Sequence, residues 1–147
     1  MTPRRIVVVG ATSGIGQAIA RAFAARGDTV LATGATAGEV AAAADQMPGI
    51  DLQQLDVRDN TAVSALIAAS GEMDVLVNCA GVIRRGAEHD PVAFADTVDI
   101  NLNGTMRVCA AARAGLKARK GCIVNTASML SFFGGGLVPG YSASKGG

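Results

Sequence analysis

The segment IVVVGATSGIG, from Ile6 to Gly16, contains a short apolar run, a glycine-rich turn and the beginning of a helical pattern. The β-branched run from Ile6 to Val9 is typical of a parallel strand that is buried on both faces. Beyond the turn, apolar residues recur at helical spacing, at Ile15, Ala18, Ile19, Ala22 and Phe23. The segment therefore predicts a strand, a turn and a helix, with the glycines at the carboxyl end of the strand.

The same alternation continues along the chain. Further apolar runs predict strands at 29–33, 50–55, 74–78 and 122–126. Helical patterns cover 36–47, a segment that begins at Asp59 or Asn60, and a long amphipathic stretch from Pro91 to about Lys120. This alternation indicates an α/β fold, a Rossmann-like doubly wound parallel sheet in three αβα layers. We expect residues 1–147 to form one such domain, with ligands bound at the carboxyl ends of the strands.

Composition excludes several classes of protein. Half of the 147 residues are hydrophobic, and 13 basic against 12 acidic residues give a net charge of +1, which excludes a disordered chain and gives no sign of nucleic-acid binding. The apolar run near the N-terminus is too short for a secretion signal or a membrane span, so a cytoplasmic location without a membrane partner is expected. The three cysteines, which form no metal-ligand pattern, are expected to be reduced thiols: Cys79, Cys109 and Cys122.

The glycine-rich turn has the properties of a dinucleotide-binding loop. Glycines allow a tight turn and a close approach of the backbone to a pyrophosphate, and the following helix offers free N–H groups and its positive dipole end to that anion. The spacing is GxxxGxG, and its position between a strand and a helix supports this interpretation. The residues expected to line the site are Gly10, Thr12, Ser13, Gly14, Ile15 and Gly16.

The choice between NAD and NADP stays open at this level. An acidic residue about 20 positions beyond the glycine loop usually holds the ribose 2′-hydroxyl of NAD. Here Gly34 occupies that region, the next acidic residue is Glu39, and Ser13 stands in the loop where a basic residue could have met a 2′-phosphate. Asp56 follows the third predicted strand, where it could accept a hydrogen bond from the adenine amino group or act as a loop or helix-capping carboxylate.

Tyr141 and Lys145 are four positions apart, so on a helix their side chains share one face. A free tyrosine has a pKa of about 10, and a neighbouring cation favours the phenolate, which suits acid–base chemistry on an alcohol. Ser128 ends the fifth predicted strand, where its hydroxyl could hold a substrate oxygen, and Asn101 lies in the helical region before that strand. Each of these residues alone would also fit a plain structural role.

Taken together, these motifs resemble the classical short-chain dehydrogenase/reductase family. The resemblance covers the whole chain in order and spacing, through GATSGIG at Gly10 to Gly16, Asp56-Val57, NCAG at Asn78 to Gly81, Asn101, Ser128, and YSASK at Tyr141 to Lys145. Two positions depart from the family pattern. Val9 stands where the family usually has threonine, and Cys79 stands where it usually has asparagine.

The resemblance implies an NAD- or NADP-dependent oxidoreductase. It assigns the acid–base role to Tyr141, and it implies that Lys145 lowers the tyrosine pKa and binds the nicotinamide ribose. It further implies that Ser128 orients the substrate carbonyl and that Asn101 supports a water in a proton relay. It also implies a small-molecule substrate and a homo-oligomer, a dimer or a tetramer. The implied cofactor-binding set is Gly10, Thr12, Ser13, Gly14, Ile15, Gly16, Asp56, Val57, Asn78, Ala80, Gly81, Tyr141 and Lys145.

A narrower likeness points to a substrate class. The stretches 81–85, 127–132 and 138–141 are similar to the sugar-acid dehydrogenases of the family, of the 2-dehydro-3-deoxy-gluconate type. Arg84 and Arg85 would then pair with a substrate carboxylate, although they could equally be solvated loop residues, and His89 is expected at the surface. Three alternatives are a 3-oxoacyl-[acyl-carrier-protein] reductase, a non-catalytic dinucleotide-binding module and an inactive remnant.

The length gives one more expectation. Family members continue beyond the lysine with the rest of its helix, two or three further strand–helix steps of roughly 30 residues each, and a segment that covers the substrate. We therefore expect the 147 residues to be part of a longer chain, without the last strands and helices of the family.

Overall fold

A computed structural model describes residues 2–147, so Met1 of the predicted domain lies outside the described residues. Five strands form the sheet: β1 Arg5–Val9, β2 Thr29–Gly34, β3 Asp51–Gln54, β4 Val75–Asn78 and β5 Cys122–Asn125. The α-helices of the described residues are α1 Gly14–Ala25, α2 Ala37–Ala43, α3 Asn60–Ser70, α4 Pro91–Val98, α5 Gly104–Arg119 and α6 Pro139–Gly146. Every predicted strand is present, within one or two residues of its predicted bounds.

The sheet has the order β3-β2-β1-β4-β5, and every neighbouring pair is parallel. Strand β1 therefore lies in the middle, between β2 and β4, where Val8 is in register with Ala32 on one side and Val77 on the other. The strand order reverses at β1, and this reversal opens a crevice at the carboxyl ends of the strands. The glycine turn that follows β1 stands at the edge of that crevice.

Side chains of β1 alternate between two apolar cores, as the two-residue period of a strand requires. Val7 and Val9 pack on one face with residues of α3 and α5, among them Val63 and Val108. Ile6 and Val8 pack on the other face with residues of α1 and α2, among them Ala20 and Ala43. Both faces of the sheet are covered, which confirms the predicted three-layer α/β fold.

The predicted long helix from Pro91 to Lys120 is interrupted. Between α4 and α5 the backbone forms a π-helical turn, Asp99–Asn103, in which the helix widens by one residue. Such turns are rare, often occur at functional sites and change the direction in which side chains point. Here the turn carries Asn101 inward, where its side chain is only 3% exposed. The apolar periodicity of the sequence gives no sign of this local change.

Candidate cofactor cleft and active site

A cleft of about 550 Å³ opens at the carboxyl ends of β1 to β4. Its volume is in the range of small-molecule and cofactor sites, roughly 300–1,000 Å³. Most residues of the implied cofactor set line it: Gly10, Thr12, Ser13, Gly14, Ile15, Gly16, Asp56, Val57, Ala80 and Gly81. The turn after β1 and the segment after β4 thus face each other across the cleft.

The glycine turn is shaped for an anion. Gly10 and Gly14 have φ angles of +76° and +54°, which favour glycine because it has no Cβ. A Cβ on Gly10 would collide with the backbone nitrogen of Ala80, whereas a Cβ on Gly14 would meet nothing within 4 Å and would stand in open space. Helix α1 begins after Ser13 without a side-chain cap and without an acidic residue in its first turn. Its first N–H groups are therefore available to a pyrophosphate, and the turn fits a dinucleotide.

The outer end of the cleft is lined by charged side chains that the glycine motif does not predict. Glu39 Oε2 accepts hydrogen bonds from Ala35 N at 2.7 Å and Thr36 N at 3.3 Å. Position 34 leaves no room for a residue larger than glycine, because a Cβ on Gly34 would collide with the side chain of Thr12. The acidic group at this end of the cleft is therefore supplied by Glu39, in the first turn of α2, rather than by the end of β2.

Asp56 lines the cleft in an ion pair with Arg58, whose Nη2 lies 2.7 Å from Asp56 Oδ2. The side-chain hydrogen bond from Arg58 holds the pKa of Asp56 below its usual value. Arg58 also lines the cleft and reaches Asp96 with Nη1 at 2.9 Å. The sequence analysis did not predict that Arg58 lines the cleft. Its position, two residues after the carboxylate at the end of a strand, could have indicated an ion pair with Asp56.

Asn78, a residue of the implied cofactor set, bonds within the protein at the end of β4. Its side chain is buried, and its Nδ2 donates to Asn125 Oδ1 at 2.8 Å and to Cys109 Sγ at 3.3 Å. The residue does not line the cleft. Asn78 therefore joins the ends of β4 and β5 with helix α5, beneath the loop that does face the cleft.

Asn101 joins the loop after β4 to helix α6. Its Oδ1 accepts from Val82 N at 2.8 Å, and its Nδ2 donates to Val82 O at 2.9 Å and to Ser144 Oγ at 3.0 Å. Ser144 Oγ in turn donates to Tyr141 O at 2.8 Å. The structure thus brings Asn101 together with the helix that carries Tyr141 and Lys145.

Tyr141 and Lys145 lie on α6 as predicted, but neither lines the cleft itself. Lys145 Nζ donates to the carbonyl oxygen of Thr126 at 2.7 Å and lies 5.7 Å from the centre of the Tyr141 ring. Burial lowers the pKa of Lys145, since desolvation disfavours its charged form. Thr126 itself lines the cleft and connects Lys145 to it. The arrangement places a partly desolvated ammonium against the face of a phenol.

Ser128 stands in the connection between β5 and α6, before a short 3₁₀ turn at Met129–Ser131 that packs against α6. Its Oγ accepts a hydrogen bond from Leu130 N at 3.2 Å, which is a capping contact. Because the hydroxyl only accepts in this contact, its own proton stays available for a substrate oxygen.

Of the two loop arginines, Arg84 is held within the protein. Its Nη2 lies 2.6 Å from Asp96 Oδ2, and its Nη1 donates to Thr97 Oγ1 at 2.9 Å. The prediction that Arg84 binds a substrate carboxylate therefore loses support, because a protein carboxylate already occupies its guanidinium. Arg85 is exposed and is the remaining candidate. His89 is exposed, as expected, with Nε2 2.9 Å from the carbonyl oxygen of Gly136.

The parallel sheet and its uncapped glycine turn define a dinucleotide-binding α/β protein. The chain matches the short chain dehydrogenase family over residues 4–147 and belongs to that family. No helix among residues 2–147 combines the length and the apolar character needed to cross a membrane.

Several known proteins are similar to this chain. It is 37% identical to 2-keto-3-deoxy-L-fuconate dehydrogenase of Xanthomonas campestris, over 87% of the chain and 44% of that protein. It is 36% identical to 2-dehydro-3-deoxy-D-gluconate 5-dehydrogenase of Bacillus subtilis, over 95% of the chain and 58% of that protein. It is 33% identical to 3-oxoacyl-[acyl-carrier-protein] reductase of Escherichia coli, over 96% of the chain and 61% of that protein. The chain therefore spans less than two thirds of the length of these relatives.

The fold is also similar to that of a solved structure, an actinorhodin polyketide ketoreductase variant with NADPH. The TM-score is 0.89 and the sequence identity is 34%, over 99% of this chain and 60% of that one.

Proposed function

We propose that the chain is the cofactor-binding and acid–base part of an NAD(P)-dependent oxidoreductase, which transfers a hydride between nicotinamide and a secondary alcohol or ketone. The observation that carries this proposal is the position of Lys145, whose ammonium lies against the Tyr141 ring and bonds to Thr126 at the cleft. The family and the relatives' names support a dehydrogenase or reductase.

In this proposal, the bound cofactor supplies or accepts the hydride, and the chain supplies placement and proton transfer. The N–H groups at the start of α1 hold the pyrophosphate, and Asp56 accepts from the adenine amino group. Tyr141 gives its phenolic proton to the forming alkoxide in reduction and takes the proton from the alcohol in oxidation. Lys145 holds the ribose, and the Ser128 hydroxyl donates to the substrate oxygen.

For the substrate, we propose a sugar acid, on the likeness to the sugar-acid dehydrogenases above. Arg85 is the exposed guanidinium that could meet its carboxylate. A 3-oxoacyl thioester is the second candidate, because the E. coli reductase is nearly as similar as the B. subtilis dehydrogenase. The alternative without catalysis is a dinucleotide-binding module. Measuring cofactor binding and substrate turnover separately distinguishes it from an enzyme.

The test measures cofactor binding and turnover separately. NADH and NADPH binding is followed by cofactor fluorescence, and oxidation of the reduced cofactor is followed with 2-keto-3-deoxy acids, neutral ketones and β-ketoacyl thioesters. We expect turnover that is lost in Tyr141→Phe while cofactor binding is kept. Binding without turnover on any ketone would favour the non-catalytic module. Arg85→Ala should raise KM for acidic ketones more than for neutral ones, and equal effects would remove the carboxylate role.

A further inference from the structure

Glu88 is a buried carboxylate that the proposed mechanism does not use. Its side chain is only 1% exposed, and among residues 2–147 no cationic nitrogen lies within ion-pair distance of it. Its Oε1 accepts from Arg84 N at 2.7 Å, and its Oε2 accepts from Tyr141 N at 2.7 Å. Burying a charge is costly unless it is fully hydrogen-bonded, so two short bonds from backbone N–H groups call for an explanation.

One of these two bonds ends on the backbone of the proposed acid–base residue. Helix α6 begins at Pro139, and Val138 before it gives no side-chain cap. The Tyr141 N–H is therefore one of the unpaired donors of the first turn, and the carboxylate of Glu88 takes the place of a local cap. Gly140 permits the approach, because a Cβ there would lie 3.3 Å from Glu88 Oε2 and 3.2 Å from Phe94 Cα.

The segment around Glu88 holds the same region at two further points. Gly86 N donates to Leu137 O at 2.7 Å, and His89 Nε2 lies 2.9 Å from Gly136 O. Together with the bond to Tyr141, the segment 86–89 thus contacts the chain just before α6 and in its first turn. Asn101 binds Ser144 one turn later, so the two buried polar side chains hold successive turns of the same helix.

We propose that Glu88 is a positioning residue: its carboxylate fixes the first turn of α6 against the loop after β4, and so fixes the Tyr141 phenol relative to that loop, which lines the cleft. This inference rests on the proposed function, since it assigns Glu88 a task in the geometry of the acid–base pair. Glu88 does not line the cofactor cleft, so it has no direct part in forming the cofactor site.

The chain carries its own probe for this proposal. It has one tyrosine, Tyr141, and no tryptophan, so the tyrosine bands in near-ultraviolet circular dichroism come from this residue alone. Glu88→Gln keeps the size of the side chain but turns one acceptor into a donor that faces an N–H group. The control for a general effect of removing a helix-start carboxylate is Asp59→Asn, because the exposed Asp59 also accepts from two backbone N–H groups at the start of a helix, α3, and does not contact Tyr141.

In Glu88→Gln we expect the tyrosine circular dichroism to weaken and the Tyr141 amide to exchange with solvent about tenfold faster or more, the factor implied by losing a bond to a charged acceptor. NADH and NADPH affinities should change by less than kcat, because the glycine turn and Asp56 are not altered, and in a form that turns over a ketone kcat should fall by the larger factor. Asp59→Asn should leave both Tyr141 signals unchanged.

Unchanged Tyr141 signals in a folded Glu88→Gln variant would overturn the proposal, as would equal changes in Asp59→Asn. If Glu88→Gln does not fold, the unaltered chain still decides: the amides of Tyr141 and Arg84 must exchange as slowly as those of β4, and fast exchange overturns the proposal. Failure of the unaltered chain to bind either cofactor would instead contradict the proposed function, and it would leave the Tyr141 readouts intact as a test of the contact.

Discussion

Asn101 binds the backbone of Val82 at both of its polar groups, accepting from the N–H at 2.8 Å and donating to the carbonyl at 2.9 Å. A side-chain amide is suited to this double contact because it carries one acceptor and a donor group on the same carbon. The contact fixes the loop after β4, which lines the cleft through Ala80, Gly81 and Val82.

Replacing Asn101 by Asp should therefore destabilise the fold by about 2–4 kcal/mol, because a buried carboxylate oxygen would face the Val82 carbonyl. Urea unfolding followed by far-ultraviolet circular dichroism measures the difference. Asn103→Ala is the control, since Asn103 is exposed and bonds only to Asp99, and a change within about 0.5 kcal/mol is expected there. A mild effect of Asn101→Asp would contradict the assigned contact.

Gly14→Ala should abolish measurable cofactor binding. Gly14 has a φ angle of +54°, and its Cβ would stand in the open space that the pyrophosphate needs. Gly49→Ala is a matched control, because Gly49 has a φ angle of +76° and equally open surroundings but lies outside the cleft. Both changes should cost about 1 kcal/mol of stability through strain. Titration with NADH and NADPH should then distinguish them, and equal loss of affinity would argue against the anion site.

Glu39→Gln should shift the cofactor preference towards the 2′-phosphorylated form. The carboxylate of Glu39 is at the outer end of the cleft, and it repels a phosphate that would approach the N–H groups of Ala35 and Thr36. Removing this charge should change the ratio of the NADPH and NADH dissociation constants by up to about tenfold, for a change in free energy of about 1.4 kcal/mol. Glu72→Gln removes an exposed charge outside the cleft and should leave the ratio unchanged.

Lys145 should make the stability of the fold depend on pH in the alkaline range. Burial lowers its pKa below 10.5, the usual value for a lysine, so between the lowered pKa and 10.5 the unfolded chain binds more protons than the folded one. The contribution of Lys145 to the free energy of unfolding therefore rises as the pH rises through that window. In Lys145→Met this contribution disappears. The unfolding free energy of the original chain should therefore rise relative to that of Lys145→Met as the pH approaches 10.5. Urea titrations at several pH values measure this difference.

The glycine turn and the Tyr141–Lys145 pair could be predicted from sequence because each depends on local chemistry. A strand, three glycines and a helix define the turn, and a four-residue spacing defines the pair. The strands were predicted closely for the same reason, since their apolar runs end at glycine or polar residues.

The polar contacts around the site could not be predicted in the same way. Glu88 meets Tyr141 across 53 positions, and Arg58 meets Asp96 across 38, and neither pairing leaves a periodic or spaced signature. Asn78 was assigned to the cofactor from the family motif, but the neighbouring strand and α5 decide its orientation. The π-helical turn at Asn101 adds one residue to a helix without altering the apolar pattern that predicts the helix.

Among residues 2–147, strand β5 is the last in the sheet order and pairs only with β4. All four of its residues are exposed, with Ile123 at 39% and Val124 at 50%, and the segment Cys122–Asn125 contains no charged residue and no proline. An edge strand without charged residues or proline leaves its unpaired backbone N–H and C=O groups open to pairing with another strand. A strand that comes to lie beside β5 would therefore find these backbone groups free to pair, and Val124→Lys should weaken that pairing.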